Sequence, residues 1–148
     1  LSKYLGFCEQ SAWYTHITYM IIHVNPIHYA VNAYAIYKLD EFLSVFCHKN
    51  SIKVQIFEYL FIITAICSTY LCCYDKPTIG LSGILFCYMG FIACLLHNKY
   101  TILYITTFII CNIIGFFVGG INYMLHTYTF IAGIIICLSF YIYKWLKQ

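Results

Sequence analysis

The 148 residues are 63% hydrophobic and 9% charged, with a mean hydropathy of +0.81. This composition excludes an ordinary soluble domain, in which about a quarter of the residues are charged. A net charge of only +3, from eight lysines without an arginine, gives no reason to expect a nucleic-acid partner. The long apolar segments instead predict an all-α polytopic membrane helix bundle with the lipid bilayer as its solvent.

Nine cysteines raise the question of disulfides or a metal site. Most of them fall within apolar runs, and no CxxC spacing occurs. Because an unpaired cysteine packs as a small hydrophobic residue, we expect free thiols, no metal and no cofactor.

The N-terminal segment, residues 1–24, is too polar to cross a bilayer. Lys3, Glu9 and Gln10 interrupt its apolar residues, and Trp13 is typical of a membrane–water interface. We therefore expect an interfacial loop segment here rather than a span.

Five apolar segments follow, and we interpret them as spans of a single domain covering 1–148. Asn25 and Pro26 have the pattern of a helix N-cap followed by the first helical residue. Charges at Lys38, Asp40 and Glu41 suggest that the first span ends there. The predicted spans are 26–38, 54–73, 79–96, 101–119 and 123–145, the fourth carrying the close-packing pair Gly115 and Gly119.

Alternating topology brings polar residues of separate spans together. The first, third and fifth spans must run in the same direction, because consecutive spans reverse it. The polar residues near the starts of these three spans therefore share one leaflet at comparable depth: His28, Asn32, Ser82 and His126.

Lysine placement orients the chain. Two lysines, Lys3 and Lys76, lie on the side of the polar residues, and the other six lie on the opposite side. By the positive-inside rule, the polar site faces away from the cytosol, or away from the matrix in an organelle. The excess of Ile, Tyr, Asn and Lys is typical of an AT-rich genome, and a mitochondrial inner membrane is one expected location.

These residue types suit acyl-transfer chemistry. His28 and Asn32 are four residues apart and share a helix face. The small residues Thr129 and Gly133 continue the face of His126. They would let the fifth span approach the third, which carries Ser82. A histidine within hydrogen-bond reach makes a serine nucleophilic, and amide or imidazole N–H groups stabilise the resulting oxyanion.

The order of these motifs resembles the rhomboid family of intramembrane serine proteases. The matching elements are the loop residue Trp13, an HxxxxHxxxN pattern, a GxSG pattern and a histidine on the last core helix. They are found at His23, His28 and Asn32, at Gly80-Leu81-Ser82-Gly83, and at His126. The resemblance implies a rhomboid-like core of five spans that lacks the first family helix.

The resemblance also implies roles for individual residues. Ser82 would be the nucleophile and His126 the general base and then acid. Phe86 would stack on the catalytic histidine. The oxyanion and substrate site would contain His28, Asn32, His23 and Gly80, and the substrate would be a single-span membrane protein.

The chain departs from the family pattern at three places, and two other functions remain open. Tyr14 stands where an arginine is usual, Leu39-Asp40-Glu41 replaces a glycine-then-glutamate signature, and Thr129 replaces a glycine. One alternative is a catalytically silent rhomboid-like scaffold or accessory subunit with neighbouring membrane subunits as partners. The other is a haem b-binding membrane anchor, with ligands drawn from His23, His28, His97 and His126.

Overall fold

This computed structural model describes residues 2–73, 75–96, 99–118 and 121–147. These residues contain seven α-helices, five of them long. Two single-turn helices come first, α1 (Ser2–Leu5) and α2 (Thr15–Thr18). The long helices are α3 (Pro26–Lys49), α4 (Val54–Thr69), α5 (Ser82–Leu96), α6 (Lys99–Val118) and α7 (Tyr123–Leu146). The all-α bundle predicted from the sequence is confirmed, with one long helix for each predicted span.

The helix α3 is longer than the first predicted span. The prediction ended that span at residue 38, whereas the helix continues to Lys49. The helix continues past these charges because they are accommodated on its surface. Lys38 forms an ion pair with Glu41 at 2.8 Å, while Leu39 and Leu43 continue the buried stripe.

Helix α5 begins at Ser82, three residues later than the predicted span. Gly80 has a φ of +115°, a left-handed conformation that glycine adopts without strain, so the chain is not helical there. The helix α4 ends at Thr69 rather than residue 73. Gly119, predicted to pair with Gly115, lies outside the described residues.

Helix α5 is the centre of the bundle, since every residue from Phe86 to Ala93 is buried. It packs most closely on α7, where backbone meets backbone. A Cβ atom added to Gly90 would lie 2.0 Å from the Phe130 carbonyl oxygen, and one added to Gly133 would lie 2.1 Å from the Cys87 carbonyl oxygen. Such a close approach brings the beginnings of α5 and α7 together.

The outer surface of the bundle is apolar. The segments Tyr100–Phe117 and Tyr123–Leu146 are long and apolar enough to cross a bilayer, and α4 and α5 are apolar but shorter. Only 6% of the Tyr100–Phe117 segment is buried in the protein. One side of α6 is therefore exposed at the surface of the bundle, as expected where lipid replaces water as the solvent.

Candidate active site

Ser82 and His126 are joined by a hydrogen bond. Ser82 is the first residue of α5, and His126 lies in the first turn of α7. The distance from Ser82 Oγ to His126 Nε2 is 2.9 Å. His126 is buried and Ser82 is half-buried, so the serine remains accessible while the imidazole is shielded.

The orientation of His126 depends on Phe86. The two rings are stacked, with centroids 4.2 Å apart and planes 20° from parallel. Phe86 reaches the imidazole because it lies one helical turn after Ser82. His126 Nδ1 is buried and finds no hydrogen-bond partner among the described residues. Among the described residues the arrangement is therefore a Ser82–His126 pair held by stacking, with no third group hydrogen-bonded to the histidine.

His28 and Asn32 lie together beside the serine loop. Asn32 Nδ2 is 3.1 Å from His28 Nε2, and Asn32 is buried. A Cβ atom added to Gly80 would lie 3.0 Å from His28 Cε1 and 3.6 Å from Asn32 Nδ2. The GxSG backbone thus packs directly against both side chains, and a larger residue at position 80 would displace them.

His23 supports the serine loop through the backbone. Its Nε2 accepts a hydrogen bond from the Leu81 N–H at 3.1 Å. It contacts the rings of His28 and Tyr29 edge-on, with centroids 5.4 and 5.0 Å away. Burial lowers the pKa of His23, a hydrogen bond with the Ile21 backbone opposes this, and nearby His28 lowers the pKa further. His23 is therefore an uncharged acceptor at neutral pH.

Asn122 and Thr78 connect the segment before α5, which carries Ser82, to the start of α7, which carries His126. Neither residue was predicted from the sequence. Asn122 Oδ1 accepts from the Leu125 N–H at 2.9 Å as the N-cap of α7. Its Nδ2 donates to Thr78 Oγ1 at 2.8 Å, four residues before Ser82. The signal for the cap was present, because asparagine directly before an apolar helix is a common N-cap. The bond to Thr78 has no sequence signal.

The N-terminal segment also packs against the serine loop. Phe7 and Thr78 exchange two backbone hydrogen bonds, at 3.0 and 2.7 Å. The carbonyl of Tyr19 accepts from the Gly80 N–H at 2.7 Å, and Tyr19 is fully buried. The segment predicted to be interfacial is therefore a structural support for the loop that precedes Ser82. Trp13 of this segment is 75% exposed.

Thr129, which stands where a glycine was expected, does not separate α5 from α7. Its side chain is fully buried, and its hydroxyl donates to the carbonyl oxygens of Leu125 and His126, at 2.9 and 3.2 Å. The hydroxyl is satisfied within its own helix. Close approach of the two helices is maintained instead by Gly90 and Gly133.

A cavity of about 770 Å³ begins at Ser82 and His126 and extends along α3. Its α3 wall runs from Asn25 to Lys38, about 20 Å of helix. Its opposite wall is α6, and no described Cα of α3 comes within 8 Å of one in α6. The cavity is therefore a cleft between α3 and α6, with the hydroxyl of Ser82 at its head.

The described residues contain no cluster of three or more metal-ligating side chains. His28 and His126, two of the possible haem ligands, direct Nε2 at Asn32 and Ser82 respectively. His97, a further candidate, lies outside the described residues.

Comparisons with known proteins identify one family. The sequence model of the Rhomboid domain matches residues 10–144. No curated protein matches the chain, and no solved structure does.

Proposed function

The chain belongs to the rhomboid family, and on that basis we propose that it is an intramembrane serine protease that cleaves single-span membrane proteins. The observation that carries this proposal is the 2.9 Å contact between Ser82 Oγ and His126 Nε2 at the head of the α3–α6 cavity. The chain is an integral membrane protein with a helical bundle, and the bilayer surrounds it.

Peptide cleavage would proceed through an acyl-enzyme. His126 Nε2 takes the proton of the Ser82 hydroxyl as Oγ attacks the scissile carbonyl carbon. The same nitrogen then gives this proton to the leaving amine, the C–N bond breaks, and an ester on Ser82 remains. A water molecule, deprotonated by His126, attacks that ester and releases the new carboxyl end and free serine.

The oxyanion of each tetrahedral intermediate needs hydrogen-bond donors. The Ser82 N–H is at the first position of α5, where a helix leaves its N–H groups unpaired. Asn32 has a second amide hydrogen besides the one directed at His28. The side chains of Asn32 and His28, the other two donors, line the cavity that contains Ser82. These three groups could surround one oxygen, and removing one such donor typically lowers kcat by about 10²–10³-fold.

The substrate would enter from the bilayer. A single transmembrane segment could enter between α3 and α6, which form two walls of the cavity, and present its head to Ser82. Water would reach the same end past His28 and Asn32. From the lysine distribution we propose that this end faces the non-cytosolic or non-matrix side, and that the membrane is the mitochondrial inner membrane.

An activity probe tests the proposal directly. A fluorophosphonate should label the purified, folded chain, and Ser82→Ala or His126→Ala should abolish the label. Ser44→Ala is the matched control, because Ser44 is an exposed serine on α3. Absence of label on folded wild-type protein would favour the silent scaffold or accessory subunit. A Soret band in the purified chain would instead support the haem-binding anchor.

A further inference from the structure

A second cavity, of about 500 Å³, lies between α4 and α7 and shares no residue with the active-site cavity. Its walls are mainly hydrocarbon, including Ile56 and Leu60 of α4 and Ile135 and Ile136 of α7. Because α4 and α7 expose these apolar faces on the outside of a membrane bundle, the groove opens toward lipid.

One end of this groove is basic. The lining residues at that end are Ile52 and Tyr143, and each is followed in the chain by a lysine, Lys53 or Lys144. Lys144 Nζ donates to Asn50 Oδ1 at 2.7 Å, which holds the amine over the turn between α3 and α4. Lys53 belongs to the same turn. An ammonium has three donors, so Lys144 can still donate to an anion.

Among the described residues, neither Lys53 nor Lys144 forms an ion pair with a carboxylate. The first turn of α4 contains no acidic residue. Glu58 lies about 200° around the helix from Ile56 and so faces away from the groove. Lys49 and Lys147 add positive charge near the same end of the bundle. The groove therefore combines an apolar wall with a cationic end at the membrane surface.

We propose that the α4–α7 groove binds an anionic phospholipid, with an acyl chain along the groove and the phosphate on Lys53 and Lys144. From Ile52 to Leu60 the groove is about 12 Å long. The groove opens toward lipid and is lined mainly by hydrocarbon, so it suits an acyl chain of the surrounding bilayer.

Native mass spectrometry of the full chain, titrated with phosphatidylglycerol or phosphatidylcholine, tests the headgroup contacts. Phosphatidylglycerol should bind more tightly, and Lys53→Gln and Lys144→Gln should each weaken it by about fivefold, since one lysine contributes about 1 kcal/mol at such a surface. Phosphatidylcholine binding should change less. Lys76→Gln, on the opposite side of the bundle, is the matched control and should have no effect.

A second pair of variants tests the groove itself. Ile136→Trp and the milder Ser139→Phe fill the cavity and should weaken binding of both lipids, whereas Ile131→Trp, exposed elsewhere on α7, should not. Equal affinity for the two lipids, or an equal loss from Lys76→Gln, would overturn the anionic site. Sensitivity to the lysines without sensitivity to groove filling would show headgroup adsorption only and would overturn the groove.

Discussion

The His126 imidazole is oriented with few polar contacts. Its Nε2 meets Ser82, its face meets Phe86, and its Nδ1 has no partner among the described residues. A stacked ring pair contributes about 0.5–1.5 kcal/mol beyond its buried area. Under the proposed function, Phe86 would orient the imidazole as a carboxylate does in a three-residue arrangement, but without stabilising an imidazolium by charge.

His23 acts on the same site from behind the serine loop. Its uncharged Nε2 accepts the Leu81 N–H and so holds the residue immediately before Ser82. Protonation of Nε2 would remove the acceptor and place a cation against a donor. Because the pKa of His23 is lowered by burial, folding favours the uncharged form, and this contact is present at neutral pH and lost as the pH falls.

We predict that His23 contributes to an acid limb in the pH profile of fluorophosphonate labelling. The labelling rate should fall as the pH drops below about 6.5, the ordinary pKa of histidine. In His23→Gln the amide oxygen can replace the acceptor without titrating, so the variant should retain more of its neutral rate at about pH 5.5 than wild type does. Superimposable normalised profiles for the two proteins would contradict the role of His23.

Among the helices, the beginnings of α5 and α7 must be held in register for a serine and a histidine to meet. Gly90 and Gly133 set the distance between the helices. Asn122 ties the start of α7 to Thr78, and both residues are buried. This Asn122–Thr78 clamp lies close to His126, because the backbone carbonyl of Asn122 also accepts the His126 N–H at 3.2 Å.

We predict that Asn122→Ser lowers the rate of fluorophosphonate labelling about tenfold. Serine preserves the N-cap but is too short to reach Thr78. It therefore leaves a buried hydroxyl unpaired, at a cost of about 1–3 kcal/mol. Labelling rate and thermal unfolding are to be measured together, since loss of the clamp should reduce the rate in protein that is still folded.

Thr78→Val provides the control for this prediction. It removes the same bond from the other side and should reproduce the loss. The double variant should lose little more than either single variant, because both changes remove one shared interaction. Additive losses would show that Asn122 and Thr78 act independently.

For the whole molecule, the proposed substrate path runs through the cavity between α3 and α6. The cavity between them reaches from the Ser82–His126 pair to Lys38, and α6 is covered by little protein on its outer face. A fluorophosphonate probe would occupy only the end of this cavity at Ser82, whereas a transmembrane substrate segment would occupy its full length.

We predict that Thr107→Trp blocks cleavage of a single-span reporter substrate while leaving fluorophosphonate labelling within about twofold of wild type. Thr107 lines the cavity on α6, and an indole there would occupy the substrate path. Cleavage should fall by about tenfold or more, since tenfold corresponds to only 1.4 kcal/mol of lost binding. The assay compares reporter cleavage in membranes with probe labelling of the same preparation.

Thr106→Trp is the matched control for size. Thr106 is the preceding residue of α6, is exposed and does not line the cavity. It should leave both readouts unchanged. Equal inhibition by the two tryptophans would place the substrate path elsewhere.

The sequence by itself determined the helical membrane class, the chain order of the five long helices and the polar residues that meet near the starts of α3, α5 and α7. Apolar run length and alternating direction are properties of the chain alone, and they were sufficient to select Ser82, His126, His28 and Asn32. Helix ends were less predictable. Lys38 and Glu41 neutralise each other on the surface of α3, and only their three-dimensional placement shows that the helix continues.

Only the tertiary structure decided the distances within the site and the surfaces around it. The contacts of Leu81 with His23 and of Thr78 with Asn122 join residues more than forty positions apart, so no local pattern encodes them. The substitution Thr129, which the sequence presents as a departure, is accommodated because its hydroxyl bonds back to its own helix. Packing, which sums many such contacts at once, determines whether a serine and a histidine at the same depth also lie within hydrogen-bond reach.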